Sequence, residues 1–151
     1  SRLETIGNAT RRSEYMASIL DFFTVEADAA DPDLDQLNNL IEYSTGSDPL
    51  VRDFTPPLTA TIPADSLSLQ LYHNTTAIGI RSMVESATDP AGPWTVLARS
   101  TAGTAYAEVA SGWTIQESGP GTRQLVILTQ SAALPGAAPA RQFFRLRVER
   151  Y

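Results

Sequence analysis

The chain has no cysteine and no lysine, a single histidine (His73), and only two tryptophans in 151 residues. Without cysteine there is no disulfide framework, no thiolate zinc site and no cysteine nucleophile. One histidine leaves few options for general-base or nucleophilic catalysis. Because His73 precedes Asn74-Thr75-Thr76, it is expected at a turn or on the surface. No stretch approaches the roughly 20 apolar residues a spanning helix requires, so membrane insertion of this segment is not expected. All eleven basic residues are arginines, and the only place they concentrate is Arg141, Arg145, Arg147 and Arg150. That pattern argues against a nucleic-acid partner. The first residue is Ser1 rather than methionine, which leaves room for a leader or for domains upstream.

What the chain does have is a local excess of carboxylates. Nine of its seventeen acids (Asp21, Glu26, Asp28, Asp31, Asp33, Asp35, Glu42, Asp48 and Asp53) fall between residues 21 and 53, against one base there, Arg52. The rest of the chain holds eight acids and ten bases, so the net charge of -6 belongs to one short region. Such a concentration points to a bound cation.

Hydrophobic periodicity divides the chain. From Asn8 to Phe23 the apolar residues Tyr15, Met16, Ile19, Leu20 and Phe23 recur at spacings of three and four, which predicts a helix with one buried face. A second, short helix is predicted over Leu37–Thr45, with Gly46 placed for a left-handed C-terminal cap. After Pro56-Pro57 the period changes to two. Leu67, Leu69 and Leu71 alternate with Ser68 and Gln70, Ile78, Ile80, Ser82 and Val84 with Gly79, Arg81 and Met83, and Phe144, Leu146 and Val148 with Arg145, Arg147 and Glu149. Further strands are expected at Leu58–Ile62, Trp94–Arg99, Tyr106–Ala110, Trp113–Glu117 and Arg123–Gln130, with a small-residue loop from Ser131 to Ala140. About eight short strands without intervening helices predict a mainly β fold. The expected form is an antiparallel β-sandwich over residues 55–151, preceded by a helix–calcium loop–helix segment over residues 1–54.

The acids from Asp31 have the spacing of a calcium loop. Asp31, Asp33 and Asp35 occupy positions 1, 3 and 5, Leu37 offers a backbone carbonyl at 7, Asn39 stands at 9 and Glu42 at 12. Calcium takes six to eight hard oxygen ligands, and a 12-residue loop ending in a bidentate glutamate supplies them. Acids at a helix N-terminus also favour the helix dipole, but the dipole does not account for odd-numbered spacing followed by Glu42. The sharp turn at position 6 requires positive φ, where this chain has Gln36.

The run Phe23-Thr24, Glu26-Ala27, Asp31-Pro32-Asp33, Asp35, Asn39-Leu40, Glu42-Tyr43, Gly46 and Asp48-Pro49 resembles a calcium-loop segment of the thrombospondin type 3 and dockerin kind. In large secreted proteins of environmental bacteria such a segment precedes a C-terminal β-sandwich. Phe143-Phe144-Arg145-Leu146-Arg147-Val148 resembles that module's last strand, and Val84-Glu85-Ser86 with Pro93-Trp94 its central hairpin. Members of that family usually carry glycine where this chain has Leu34 and Gln36. The resemblance implies an accessory, surface or attachment role rather than an enzymatic one.

Outside the loop the acids are scattered without a catalytic motif. The expectation is therefore a non-enzymatic, calcium-stabilised structural or adhesive module, extracellular or at the cell surface, whose partners are neighbouring domains or copies of itself, as in an extracellular filament. The alternative is a carbohydrate-binding module accessory to a secreted polysaccharide-active enzyme. On that reading Trp94, Trp113, Tyr72 and Tyr106 would form a platform for sugar rings, with Trp113 the most exposed. Asn8-Ala9-Thr10 and Asn74-Thr75-Thr76 match the glycosylation triplet.

Overall fold

A computed structural model describes residues 28–63, 66–131 and 142–151. The helix expected over Asn8–Phe23 and most of the loop expected over Ser131–Ala140 lie outside these residues. Among the described residues one helix of named extent, α1 (Asn39–Thr45), precedes eight strands. The strands are β1 (Thr59–Thr61), β2 (Ser68–Asn74), β3 (Ile80–Ala87), β4 (Thr95–Thr101), β5 (Ala107–Glu108), β6 (Trp113–Ser118), β7 (Arg123–Gln130) and β8 (Phe143–Arg150). They form two four-stranded antiparallel sheets, β1-β2-β7-β6 and β5-β4-β3-β8, so the fold is mainly β and a sandwich, as expected.

Alternation explains the core. In β2, Leu69, Leu71 and His73 point inward while Gln70 and Tyr72 point out; opposite them in β7, Val126 and Leu128 are buried. Val84, Leu97 and Ala98 close the core from the second sheet. Central strand β3 is buried almost throughout, including Glu85 on its outer side. That carboxylate is covered by Arg145 and Arg147 of neighbouring β8, whose Nε atoms each lie 2.7 Å from one of its oxygens. Burial alone would raise Glu85, but the two guanidinium groups outweigh it and hold the carboxyl below its usual range.

Two aromatic expectations are corrected. Trp113 is only 6 % exposed and meets Phe144 edge to face at 6.5 Å, while Tyr106 is equally buried. Trp94 is half-buried beneath the Arg145 guanidinium, 4.1 Å from the ring centre. Only Tyr72 is exposed, so the four do not share a platform. Sandwich cores fill with the large rings that both sheets can bury, and the area gained outweighs any surface role.

His73 is a correction of the same kind. It is 2 % exposed, bonded through Nδ1 to the Glu117 carboxylate of β6, and its Nε2 lies 3.1 Å from Ser100 Oγ of β4 in the opposite sheet. Ser100 in turn donates to the Thr104 carbonyl, and Glu117 accepts the Tyr106 N–H at 3.0 Å. The strand runs one residue into the expected turn, to Asn74, and parity carries His73 to the same face as Leu69 and Leu71.

The α1 helix begins later than Leu37, because Asn38 caps it by accepting the Ile41 N–H at 2.9 Å. Gly46 ends it at φ 76, as the sequence predicts. The helix packs at one end of the sandwich: Tyr43 Oη bonds the Ile78 backbone, Ser44 Oγ lies 2.8 Å from Ser82 Oγ, and Arg123 at the start of β7 donates to the Thr45 carbonyl. The loop that feeds α1 is thereby fixed to both sheets.

Candidate metal centre

The chain reaches α1 through a tight loop organised by its own carboxylates. Asp31 accepts the N–H groups of Asp35 and Gln36 at 3.2 and 3.0 Å, and Asp35 Oδ1 accepts the Leu37 N–H at 2.9 Å. The Asn39 N–H donates to the Ala30 carbonyl at 2.9 Å, closing the loop on itself. These bonds draw Asp31, Asp33 and Asp35 together, so that one carboxylate oxygen of each lies within 4.8 Å of the others. This cluster can hold a metal ion.

The backbone takes the conformation that such a loop demands even though the side chains oppose it. Leu34 and Gln36 both have positive φ, 62° and 77°, at the positions where glycine is usual. A left-handed residue with a Cβ costs roughly 1–2 kcal/mol. Both side chains are exposed, Leu34 at 66 %, so packing does not hold them there. Replacing either Leu34 or Gln36 by glycine is expected to raise stability by about 0.5–1 kcal/mol, the strain relief less the greater entropy of an unfolded glycine. Urea unfolding checks this, and a loss of stability in both variants would contradict the strain reading.

Glu42 is not one of the three clustered carboxylates, but their charges reach it. It sits in the first turn of α1 at 0 % exposure, and neither of its carboxylate oxygens has a hydrogen-bond partner. The two oxygens of Asp33 are likewise buried and receive no hydrogen bond. Burial first, then the charges of Asp33, Asp35, Asp31 and Asp48, push Glu42 up to about 7. Burial and the neighbouring Asp35 also raise Asp33. Unpaired buried carboxylates are costly, and several aimed at one region are costlier. A divalent cation relieves both the desolvation and the mutual repulsion. The donors are all hard oxygens, a set suited to calcium, magnesium or manganese rather than to thiolate- or imidazole-seeking metals.

Leu37 is half-buried two residues after Asp35, and Asn39 opens α1. A 12-residue window does not reveal what the following segment contributes. Residues 50–55 turn back along the loop, where the Asp53 N–H donates to Asp35 Oδ2 at 3.0 Å and Arg52 Nε to the Asp33 carbonyl. Asp48 adds its charge to the field at Glu42. The Asp48-Pro49 pair after Gly46 was the only sequence signal of this return. No helix among the described residues is long and apolar enough to cross a membrane. No family model matches the chain, and no curated protein or solved structure matches it.

Proposed function

We propose that this chain is a calcium-stabilised, non-enzymatic structural module of an extracellular or cell-surface protein. One observation carries the reading: the Glu42 carboxylate, fully buried and unpartnered, stands beside the Asp31, Asp33 and Asp35 cluster. Asp31, Asp33, Asp35, the Leu37 carbonyl, Asn39 and Glu42 are the ligands of this reading. Calcium is preferred to magnesium because it accepts more protein oxygens in looser geometry and gives up its water more readily.

A site built into the junction between the loop and both sheets clamps rather than signals. The ion neutralises the loop, and the loop holds α1 against the end of the sandwich. Extracellular modules bind calcium at about 10⁻⁴–10⁻³ M, a range met outside cells and not in a calcium-poor cytosol. A site of that affinity would be filled outside the cell, where we place this module in an attachment role with copies of itself or neighbouring domains as partners. Calorimetric titration tests the ion. One calcium per chain is expected, with magnesium at equal concentration binding more weakly and Glu42→Ala abolishing the heat. A flat titration of demonstrably metal-free protein would remove the reading.

A further inference from the structure

The outer face of the first sheet carries a cavity that adjoins Leu37 of the metal centre but is lined by none of its carboxylates. It has a volume of about 240 Å³ and lies between the segment following α1 and strands β1, β2 and β7. Its apolar walls include Pro56, Pro57 and Tyr72, and its polar groups include Asp53, Gln70 and Arg123. Tyr72 is 40 % exposed, and the Arg123 guanidinium lies 3.9 Å from its ring centre.

The polar groups are positioned by the fold and retain bonding capacity. Arg123 uses its Nε–H on the Thr45 carbonyl at 3.2 Å, while its terminal nitrogens donate to none of the described residues. Asp53 is held on both sides. Its N–H donates to Asp35, and its carboxylate accepts from Thr55, whose N–H reaches Oδ1 at 3.0 Å. The Gln70 carboxamide has no hydrogen bond to the described residues; its position is fixed through its backbone in β2, paired with Thr59 and Ile127. The cavity thus combines a carboxylate acceptor, a guanidinium donor and an amide that does both, set among proline and tyrosine rings.

We infer that this cavity binds a neutral pyranose unit of a glycan. A sugar ring has apolar C–H faces and a rim of hydroxyls that each donate and accept. Such a ligand is matched by ring-lined walls with alternating donors and acceptors. The cavity is smaller than the ~300–1,000 Å³ of drug-sized pockets, which suits one ring of a longer chain. The charges of Asp53 and Arg123 offset each other, and the molecule's net charge of -6 disfavours an anionic glycan. This site differs from the aromatic platform suggested by the sequence, since only Tyr72 of those four residues takes part.

The test is a titration of the full chain, in millimolar calcium, with neutral gluco-, manno-, xylo- and galacto-hexaoses, followed by amide chemical shifts and calorimetry. Shifts confined to residues 53–57, Gln70, Tyr72 and Arg123 are expected with at least one of them. Gln70→Ala and Tyr72→Ala should each weaken that binding roughly tenfold or more, with Gln70→Ala leaving the melting temperature unchanged. No response to any neutral oligosaccharide at millimolar concentration would overturn the inference. So would shifts on another face, or parental affinity in Gln70→Ala. A response to uronic-acid oligomers alone would overturn the assignment to neutral sugars. Because calcium binding is read separately by calorimetry, failure here leaves the metal centre standing.

Discussion

Calcium is expected to raise the melting temperature of this protein by on the order of 10 °C, and Glu42→Ala or Asp33→Ala to abolish that increment. The magnitude follows from mass action. An ion at 100 times its dissociation constant, bound only by the folded state, adds about 2.7 kcal/mol. In a chain of this size each kcal/mol corresponds to roughly 2–5 °C. Ion-free protein carries three clustered aspartates whose charges reach the buried Glu42 carboxylate, and neither oxygen of that carboxylate has a hydrogen bond. Glu42→Gln is therefore expected to stabilise the ion-free form while removing the calcium response, a pair of effects that simple loss of packing would not produce.

The pH dependence provides a second readout. In the ion-free protein, burial and then the neighbouring aspartates hold the Glu42 carboxyl at about 7, against an ordinary value of 4.5. Between these values the folded chain binds a proton that the unfolded chain has released. The contribution of this group to stability is fully present below about pH 4.5 and is lost as pH rises through 7. The loss is on the order of 2 kcal/mol after allowance for solvent reaching the site. Bound calcium requires ionised ligands, so the calcium form should instead lose stability on acidification. Thermal unfolding from pH 5 to 8, with and without calcium, should give slopes of opposite sign; parallel slopes would contradict the metal centre.

The second large effect concerns the interior. Glu117→Ala is expected to cost about 3–5 kcal/mol, because it leaves the buried His73 imidazole and the Tyr106 N–H without their acceptor. His73→Ala should cost a comparable amount through the unpaired Glu117 and the cavity left under Tyr106, whose ring packs edge-on at 5.0 Å. The two substitutions share one network, so the double variant should be markedly less destabilised than their sum. Replacing both by apolar residues of similar volume should recover only the part of the loss that comes from the broken pair, since the Tyr106 N–H still lacks its acceptor. Denaturant unfolding of the cycle decides this; additive losses would show that the pair is not coupled.

Much of this architecture is legible in the residues. Alternation over Leu67–Leu71 sets which face of β2 is buried, Phe144 and Leu146 of the half-buried β8 pack against the core, and Arg123–Gln130 is a strand over the expected range. The cap at Gly46 follows from the need for positive φ at the helix end. The odd-numbered aspartates announce a loop that draws carboxylates together, because that spacing acts over a few residues of backbone.

The same alternation already held the burial of His73 and Glu117: His73 has the parity of Leu69 and Leu71, and Glu117 that of Trp113 and Ile115. Residue type and a nearby turn motif obscured it, since an isolated polar residue looks exposed until its partner on another strand is known. Spacing alone specified the acidic loop's covalent order and its unusual φ positions. Only the tertiary structure decided that the Glu42 carboxylate has no hydrogen-bond partner, that Asp53 and Arg52 return to brace the aspartates, and that Tyr72, Gln70 and Arg123 line one cavity. Local patterns report periodicity and backbone demand. Which side chains meet across the two sheets depends on register and on the path of distant segments, and those are settled only when the sandwich closes on its core.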